Sequence, residues 1–426
     1  MRHIVVIAYQ LHYSKGSEYS VAWNYVKNMS KGAKLTVIYG TSNGHHNIGN
    51  TGEMEEYMKE HPMTNVECIA LKPSFTSKNY DFSIIGQYRF YREYKKWHKD
   101  VYNYVKDLCK REHVDLIHYL GPIGYREPGY LHKLSVPYIR GPIGGLGGVN
   151  FKLLKATGSF RLAIQFLIKR ILNEIQFNFS KRNLQALRDS DVVICATSEQ
   201  QDKIKKKLGK NHHSMILFNQ ENCLDRMYPL NIEKFESKTI RLIFVGSIDG
   251  RKGLALVIEA LRYLPNDAPI VLDIAGEGNQ EPQVKKQAKR LGVDHFVKWH
   301  GKVNREEVFK MMNDSHLMVL PSLHEGNPTT IWEAMSMGLP SLTLKNCGMR
   351  DTVTDYTGFS IPIETYSQVV NDIAETLNTI LNNPVILRNK AEAVMVDRKK
   401  YTWKDRYNFF EYVYGLAEEQ YKVRKG

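Results

Sequence analysis

The stretch HEGNPTTIWEAMSMGLP, residues 324–340, carries two carboxylates, Glu325 and Glu333, separated by seven residues. Glu325 stands before an Asn-Pro-Thr-Thr run, and Glu333 falls inside an apolar pattern of helical period. Asn327 is a favourable N-cap, Pro328 suits the first helical position, and Gly338 with Pro340 marks an end. The spacing predicts a helix over about 328–337. Its unpaired N–H groups, at Thr329, Thr330 and Ile331, would form an anion site approached over Gly326. Both glutamates would repel an anion held there. They suit hydroxyl groups attached to it, as on a sugar nucleotide.

A second group of residues suits the same ligand. In FVGSIDGRKGLALVIEAL, 244–261, a strand ends at Gly246, a tight loop follows from Ser247, and a helix begins near Leu254. The loop delivers Arg251 and Lys252 to the C-terminal edge of a sheet, where open α/β folds bind ligands. Two adjacent cations suit a diphosphate whose negative charge grows as it leaves. Alone, the motif would read as a solvated loop. Paired with the two glutamates, it reads as half of a site.

Residues 241–353 resemble the retaining glycosyltransferases of family 4, which have the two-domain GT-B fold. EGNPTTIWEAMSMGLP is similar to their E-x7-E signature, and FVGSIDGRKG to the strand–loop–helix that supplies a basic pair to the donor diphosphate. Ser247 stands where many members carry arginine, and the GRKG form is closer to the lipopolysaccharide-core glucosyltransferases. The resemblance implies that Glu325 holds the donor sugar hydroxyls and Glu333 the ribose hydroxyls. It implies that Gly301 and Val303, in WHGKV, lie on the loop whose backbone holds the nucleobase. Near the start, Gly16 in YQLHYSKGSEYS resembles the family's Gly-Gly-x-Glu loop, with Lys15 replacing one glycine. Residues 114–145 resemble a subset that builds bacterial capsule and lipopolysaccharide polymers. His118 takes the first place of a His-x-His found in some members, and Leu120 takes the second. His118 is a candidate catalytic residue, with a strand-end histidine satisfied by backbone as the alternative.

The elements must position these groups. Short β-rich runs, HIVVIAY (3–9), KLTVIYG (34–40), VDLIHYL (114–120), DVVICAT (191–197), RLIFVG (241–246), IVLDIAG (270–276) and HLMVLP (316–321), alternate with helical patterns such as 88–112, 254–264, 280–291 and 304–313. That alternation predicts parallel sheets covered on both faces. The 426 residues are enough for two such units. The expected fold is α/β, GT-B: two Rossmann-like doubly wound parallel-sheet domains facing across a cleft. The expected domains are 1–225 for the acceptor, a linker 226–239, 240–402 for the nucleotide sugar, and a helix 403–426 packing back on the first.

Several other patterns are weaker. GPIGGLGG (141–148) lacks the G-x-G-x-x-G spacing of a dinucleotide fingerprint and reads as a glycine-rich loop. Asp189-Ser190-Asp191 reads as a helix-to-strand turn, and His45-His46 and His212-His213 as solvated loops. No Gly-x-Ser-x-Gly elbow supports a serine nucleophile. The five cysteines are scattered without metal spacing, which points to a reduced, cytoplasmic protein. The apolar run at the start is short for a signal peptide.

The net charge of +14 favours anionic partners. A nucleic-acid-binding protein is one rival reading, but no base-reading or stacking motif accompanies the charge. A non-catalytic sugar-nucleotide sensor is another, and the set Arg251, Lys252, Glu325 and Glu333 argues against it. Residues 151–183 hold seven basic residues against a single acid, Glu174, interleaved with large apolar ones, and 89–111 interleave aromatics with cations. Each is either an anionic-lipid contact or an ordinary domain helix.

The expected protein is thus a retaining transferase. It would move sugar from a nucleotide diphosphate to a glycan acceptor, lipid-linked, with no metal or other cofactor. It would be cytoplasmic, peripheral on the inner membrane face, with nucleic acid not among its partners.

Overall fold

The structure is a computed structural model that describes residues 1–15, 18–40, 52–72, 84–210, 212–219, 222–224 and 226–426. The chain divides into two compact units. The first comprises Met1–Leu146, Ile175–Glu221 and Lys404–Gly426; the second comprises Gly147–Glu174 and Asn222–Trp403.

The first unit is built on seven strands: β1 (Arg2–Ala8), β2 (Ala33–Gly40), β3 (Val66–Leu71), β4 (Leu116–Gly121), β5 (Tyr138–Ile143), β6 (Val192–Cys195) and β7 (Met215–Phe218). They lie in the order β3-β2-β1-β4-β5-β6-β7, and every pairing is parallel. Parallel strands need both faces covered, and β1 shows it, with Ile4 through Ala8 fully buried. On one face the helix Ile84–Arg111 buries Tyr94, Trp97, Val101 and Val105 against β1 and β4. Its cations occupy the opposite face, so this basic stretch is an ordinary domain helix. On the other face the C-terminal helix Trp403–Lys425 inserts Phe410, Val413, Tyr414 and Ala417 into the core. Arg424 fastens its end, 3.1 Å from the Asp191 carboxylate, which also accepts the Tyr138 N–H at 2.8 Å. The Asp-Ser-Asp turn is therefore a structural latch. His213, expected in solvent, is half-buried with Nε2 3.7 Å from Asp191. His45 and His46 lie outside the described residues.

The second unit has six parallel strands: β8 (Ile240–Val245), β9 (Ile270–Ala275), β10 (Val297–Gly301), β11 (Leu317–Leu320), β12 (Ser341–Leu344) and β13 (Gly358–Ile361). Their order, β10-β9-β8-β11-β12-β13, reverses direction between β8 and β11. Both units thus have the doubly wound α/β architecture of the GT-B fold. Residues 226–239, expected as a linker, belong to the second unit. The Tyr228 N–H donates to Ser336 O, Arg398 donates to Tyr228 O, and Lys234 donates to Asn313 O. A polar, aperiodic segment can still dock when its backbone groups find partners, and periodicity does not report that. The segment 147–174, expected within the first domain, also belongs to the second unit. Its Val149, Leu153 and Ala156 join the core around β8.

Candidate active site

The point where strand order reverses is where an open α/β sheet leaves a crevice. In the second unit that point separates β8 from β11, and the loops leaving these strands carry Arg251, Lys252 and Glu325. β8 is followed by Gly246, at φ +142°, a conformation that favours glycine. The loop is then tied by an aspartate the sequence reading missed. Asp249 accepts from Ser247 Oγ at 2.8 Å, from the Arg251 N–H at 2.8 Å and from the Lys252 N–H at 3.2 Å. An aspartate two residues before a basic pair, in a Gly-containing turn, is the signal that would have revealed it. Ser247 thus acts here on the loop itself.

Gly253 closes the loop at φ +68° and caps the helix Leu254–Leu261. A Cβ at this position would lie 2.1 Å from Pro321 O, so only glycine lets the two loops approach. Arg251 O accepts the Leu323 N–H at 2.7 Å, stitching the β8 loop to the β11 loop.

The side chains meet as a result. Arg251 Nη1 and Lys252 Nζ both contact Glu325 Oε1, the lysine at 2.7 Å. Lys252 is 9% exposed, so the site holds a largely desolvated cation. Such charges act strongly on a neighbouring anion, because little water screens them.

The helix after β11 runs Thr329–Ser336. It begins one residue later than the sequence spacing predicts, with Pro328 in the N-cap position. Asn327 does not cap it. Its Oδ1 accepts instead from Trp332 Nε1 at 2.6 Å, and its backbone carbonyl accepts from Asn222. An indole N–H four to five residues away competes for the same acceptor, and Trp332 is buried enough to need it. Asn327 Nδ2 and Thr330 Oγ1 are buried and have no hydrogen-bond partner among the described residues. Orphaned polar atoms beside a helix N-terminus fit a polar ligand. Thr329 is exposed there, and Gly326 O accepts the Gly348 N–H at 2.9 Å.

Glu333 lies one turn into the helix, largely buried, with Oε1 3.2 Å from Arg305 Nη2. Burial raises its carboxyl above the ordinary value, and Arg305 offsets part of that. Gly301 ends β10 at φ +66°, and its carbonyl accepts the Gly276 N–H at 2.8 Å. Val303 packs against the core just beyond. All these residues lie along one edge of one sheet.

Two expectations fall in the first unit. Gly16 lies outside the described residues. His118, on β4, is fully buried. Its Nε2 lies 2.7 Å from Gly141 O and its Nδ1 3.1 Å from Tyr25 Oη. A carbonyl only accepts, so Nε2 carries the proton and Nδ1 accepts from the tyrosine. Burial pushes the imidazole down to about 4. His118 is thus a buried ring in the core, hydrogen-bonded to the backbone at Gly141 and to Tyr25. A residue the reading passed over, Glu18, opens the helix Glu18–Met29; burial pushes its carboxyl up to about 7, against the pull of the Ile123 N–H.

Residues 230–394 match the family described as Glycosyl transferases group 1. That segment is similar to group 1 glycosyl transferases. It contains the whole cluster of Arg251, Lys252, Glu325 and Glu333. Over 141 residues the chain is 32% identical to the lipopolysaccharide glucosyltransferase WaaG of Escherichia coli K12, covering 33% of this chain and 36% of that one. Over 210 residues it is 25% identical to a glycogen synthase of Mycobacterium tuberculosis H37Rv, covering 49% of each. The chain spans between 30% and 61% of the length of these curated relatives. In fold, it matches the Anabaena protein Alr3699/HepE, solved with UDP and glucose, at a TM-score of 0.58 and 14% identity, over 97% of this chain and 99% of that one. The matched segment thus holds the whole cluster, and the shared fold extends over nearly the whole chain.

Among the described residues, no helix is long and apolar enough to cross a membrane.

Proposed function

We propose that the chain is a retaining glycosyltransferase, moving a sugar from a nucleotide diphosphate to an acceptor hydroxyl. The observation that carries this reading is the convergence of Arg251 and Lys252 on Glu325 at the switch point of the second sheet. In this reading the two cations and the start of the 329–336 helix take the diphosphate. Glu325 exchanges its cation partners for the hydroxyls of the donor sugar, and Glu333 takes the ribose. Gly246, Ser247, Gly301, Val303, Gly326, Asn327, Pro328, Thr329 and Thr330 line the donor's path, and Gly16 belongs to the same reading in the first unit. The bond from the anomeric carbon to the diphosphate breaks, and the acceptor oxygen bonds to that carbon from the same face. The hydroxyl proton leaves on the diphosphate. The growing charge there is met by Arg251 and Lys252, a role that in other systems a divalent ion can fill. We therefore read the reaction as metal-independent.

The solved structure with UDP and glucose supports a nucleotide-sugar donor. The relatives named for lipopolysaccharide and amylovoran synthesis support a glycan acceptor of bacterial surface polymers, lipid-linked in our reading and met at the inner face of the membrane. A thermal-shift screen against nucleotide sugars tests the donor, since a ligand of the folded state raises the melting temperature. Transfer with the best donor, in the presence of a chelator, then tests the rest. Product of unchanged anomeric configuration is expected. Inverted product, or binding without any transfer, overturns the reading.

A further inference from the structure

The helix Phe160–Phe179 is apolar on two opposite sides. One side is covered: Phe166 packs on the core of the second unit, and Phe177 on that of the first. The other is not. Phe160, Ile164, Ile168, Ile171, Ile175 and Phe179 recur at steps of three and four residues, and their exposure runs from 40% at Ile164 to 84% at Phe160. That period places them along one stripe of the helix surface. Leu167 and Leu172 widen the stripe, at 38% and 51% exposed. A helix of twenty residues is about 30 Å long, so the stripe is far larger than scattered surface apolar groups. The contrast with the basic helix Ile84–Arg111 is direct, because there Tyr94, Trp97, Val101, Val105 and Leu108 are buried.

The charges around the stripe have one sign. Arg161 and Lys169 are exposed on the helix, and Lys152 and Lys181 are exposed near its two ends. Its single acid, Glu174, is half-buried. Two of the cations that sequence alone counts are used internally: Arg170 donates to Val149 O, and Arg182 pairs with Glu127.

We propose that this stripe docks on an anionic lipid surface, with the helix lying in the plane of the interface. An apolar stripe flanked by cations matches the acyl boundary and the headgroups together. The helix lies on the surface and does not span it. A second copy of the chain fits poorly, because a twofold contact would set a cation-flanked face against itself. The proposal deepens the reading of a membrane-linked acceptor, and it rests on that reading only for its purpose. Vesicle binding is measured without donor or acceptor, so failure of docking and failure of transfer are read separately.

The experiment is flotation of the full chain with vesicles of phosphatidylcholine, or of phosphatidylcholine mixed with phosphatidylglycerol. Strong flotation with the mixed vesicles, weak flotation with the neutral ones, and release by salt are expected. Exchanging Arg161 and Lys169 together for glutamine should lower partitioning on the order of tenfold. Ile168→Glu with Ile171→Glu should abolish it. Should that variant fail to fold, Ile171→Trp in an otherwise unchanged chain gives a second reading, and its emission should shift to the blue with anionic vesicles only. Absence of flotation, or equal flotation with both vesicle types, overturns the proposal. So does a vesicle-free dimer, seen by sedimentation, that Ile168→Glu dissociates while the wild type does not float.

Discussion

Lys252 Nζ lies 2.7 Å from Glu325 Oε1, and the two residues come from the loops that leave β8 and β11. Arg251 shares the same carboxylate oxygen. The pair sits where the strand order of the second unit reverses, so the meeting follows from topology. It places two cations at the crevice that the reversal opens.

Lys252→Ala should lower turnover far more than donor affinity. Charge on a leaving diphosphate grows toward the transition state, so a desolvated cation acts most there. Loss of one such group costs on the order of 10²–10³ in rate. Steady-state kinetics with saturating donor reads it. Unchanged kcat with a raised KM would show a role in binding alone.

The two glutamates should separate in calorimetry with nucleoside diphosphates. Glu333→Ala should weaken binding by about tenfold, the loss of a charged hydrogen-bonding partner. Glu325→Ala should bind no more weakly than the wild type, because it frees Arg251 and Lys252 from a competing carboxylate. It should nevertheless lose transfer. Loss of nucleotide affinity in Glu325→Ala equal to that in Glu333→Ala would sink the division of roles.

Gly253→Ala tests the approach of the two loops. The new Cβ would meet Pro321 O at 2.1 Å, in a backbone at φ +68°. A stability loss of about 2 kcal/mol or more is expected, from backbone strain and the clash together. Gly292→Ala is the control: its φ is +70°, and nothing lies within 4 Å of its added Cβ. It should lose only about 1 kcal/mol. Equal losses in urea titrations would show that the contact with Pro321 is soft.

His118 should make the wild type sensitive to mild acid. In the folded state burial keeps the ring neutral down to about 4, against an ordinary value of 6.5. Between these values the unfolded chain binds the proton and the folded chain does not. The stability held by the neutral ring is therefore complete above about pH 6.5 and is lost as pH falls toward 4. By pH 5 the loss from this group is about 2 kcal/mol. Urea midpoints at pH 7 and pH 5 should therefore fall further apart in the wild type than in His118→Gln. Equal separation in both would show that other groups carry the acid response.

Much of this protein was legible in one dimension. β1, β2, β4, β6, β8, β9 and β11 read as β-rich runs because strands buried on both faces are continuously apolar. The placement of Arg251, Lys252, Glu325 and Glu333 was legible too, since residue type and spacing from a strand end decide which edge of a sheet a group reaches. Strands such as β5, which holds Gly141 and Pro142, and β10, which ends in His300-Gly301, were not. Their pairing is settled by neighbours, and local propensity runs against it. The same holds for Asp249, which matters only once Ser247, Arg251 and Lys252 fold around it. Asn327 was given to the helix by local rules and taken by Trp332 in the fold. His118 looked reactive as a residue type, and the fold buries it beside Gly141 O and Tyr25. Between the two basic stretches, composition drew no line. Burial did, because a helix's apolar side chains have meaning only against what covers them: in Ile84–Arg111 Tyr94, Trp97, Val101 and Val105 are core, and in Phe160–Phe179 eight large apolar side chains are exposed. Sequence thus determined which groups were available and at which strand ends. Tertiary structure decided which of them meet and which are sealed, because hydrogen-bond partners and solvent exposure belong to neighbours distant in the chain.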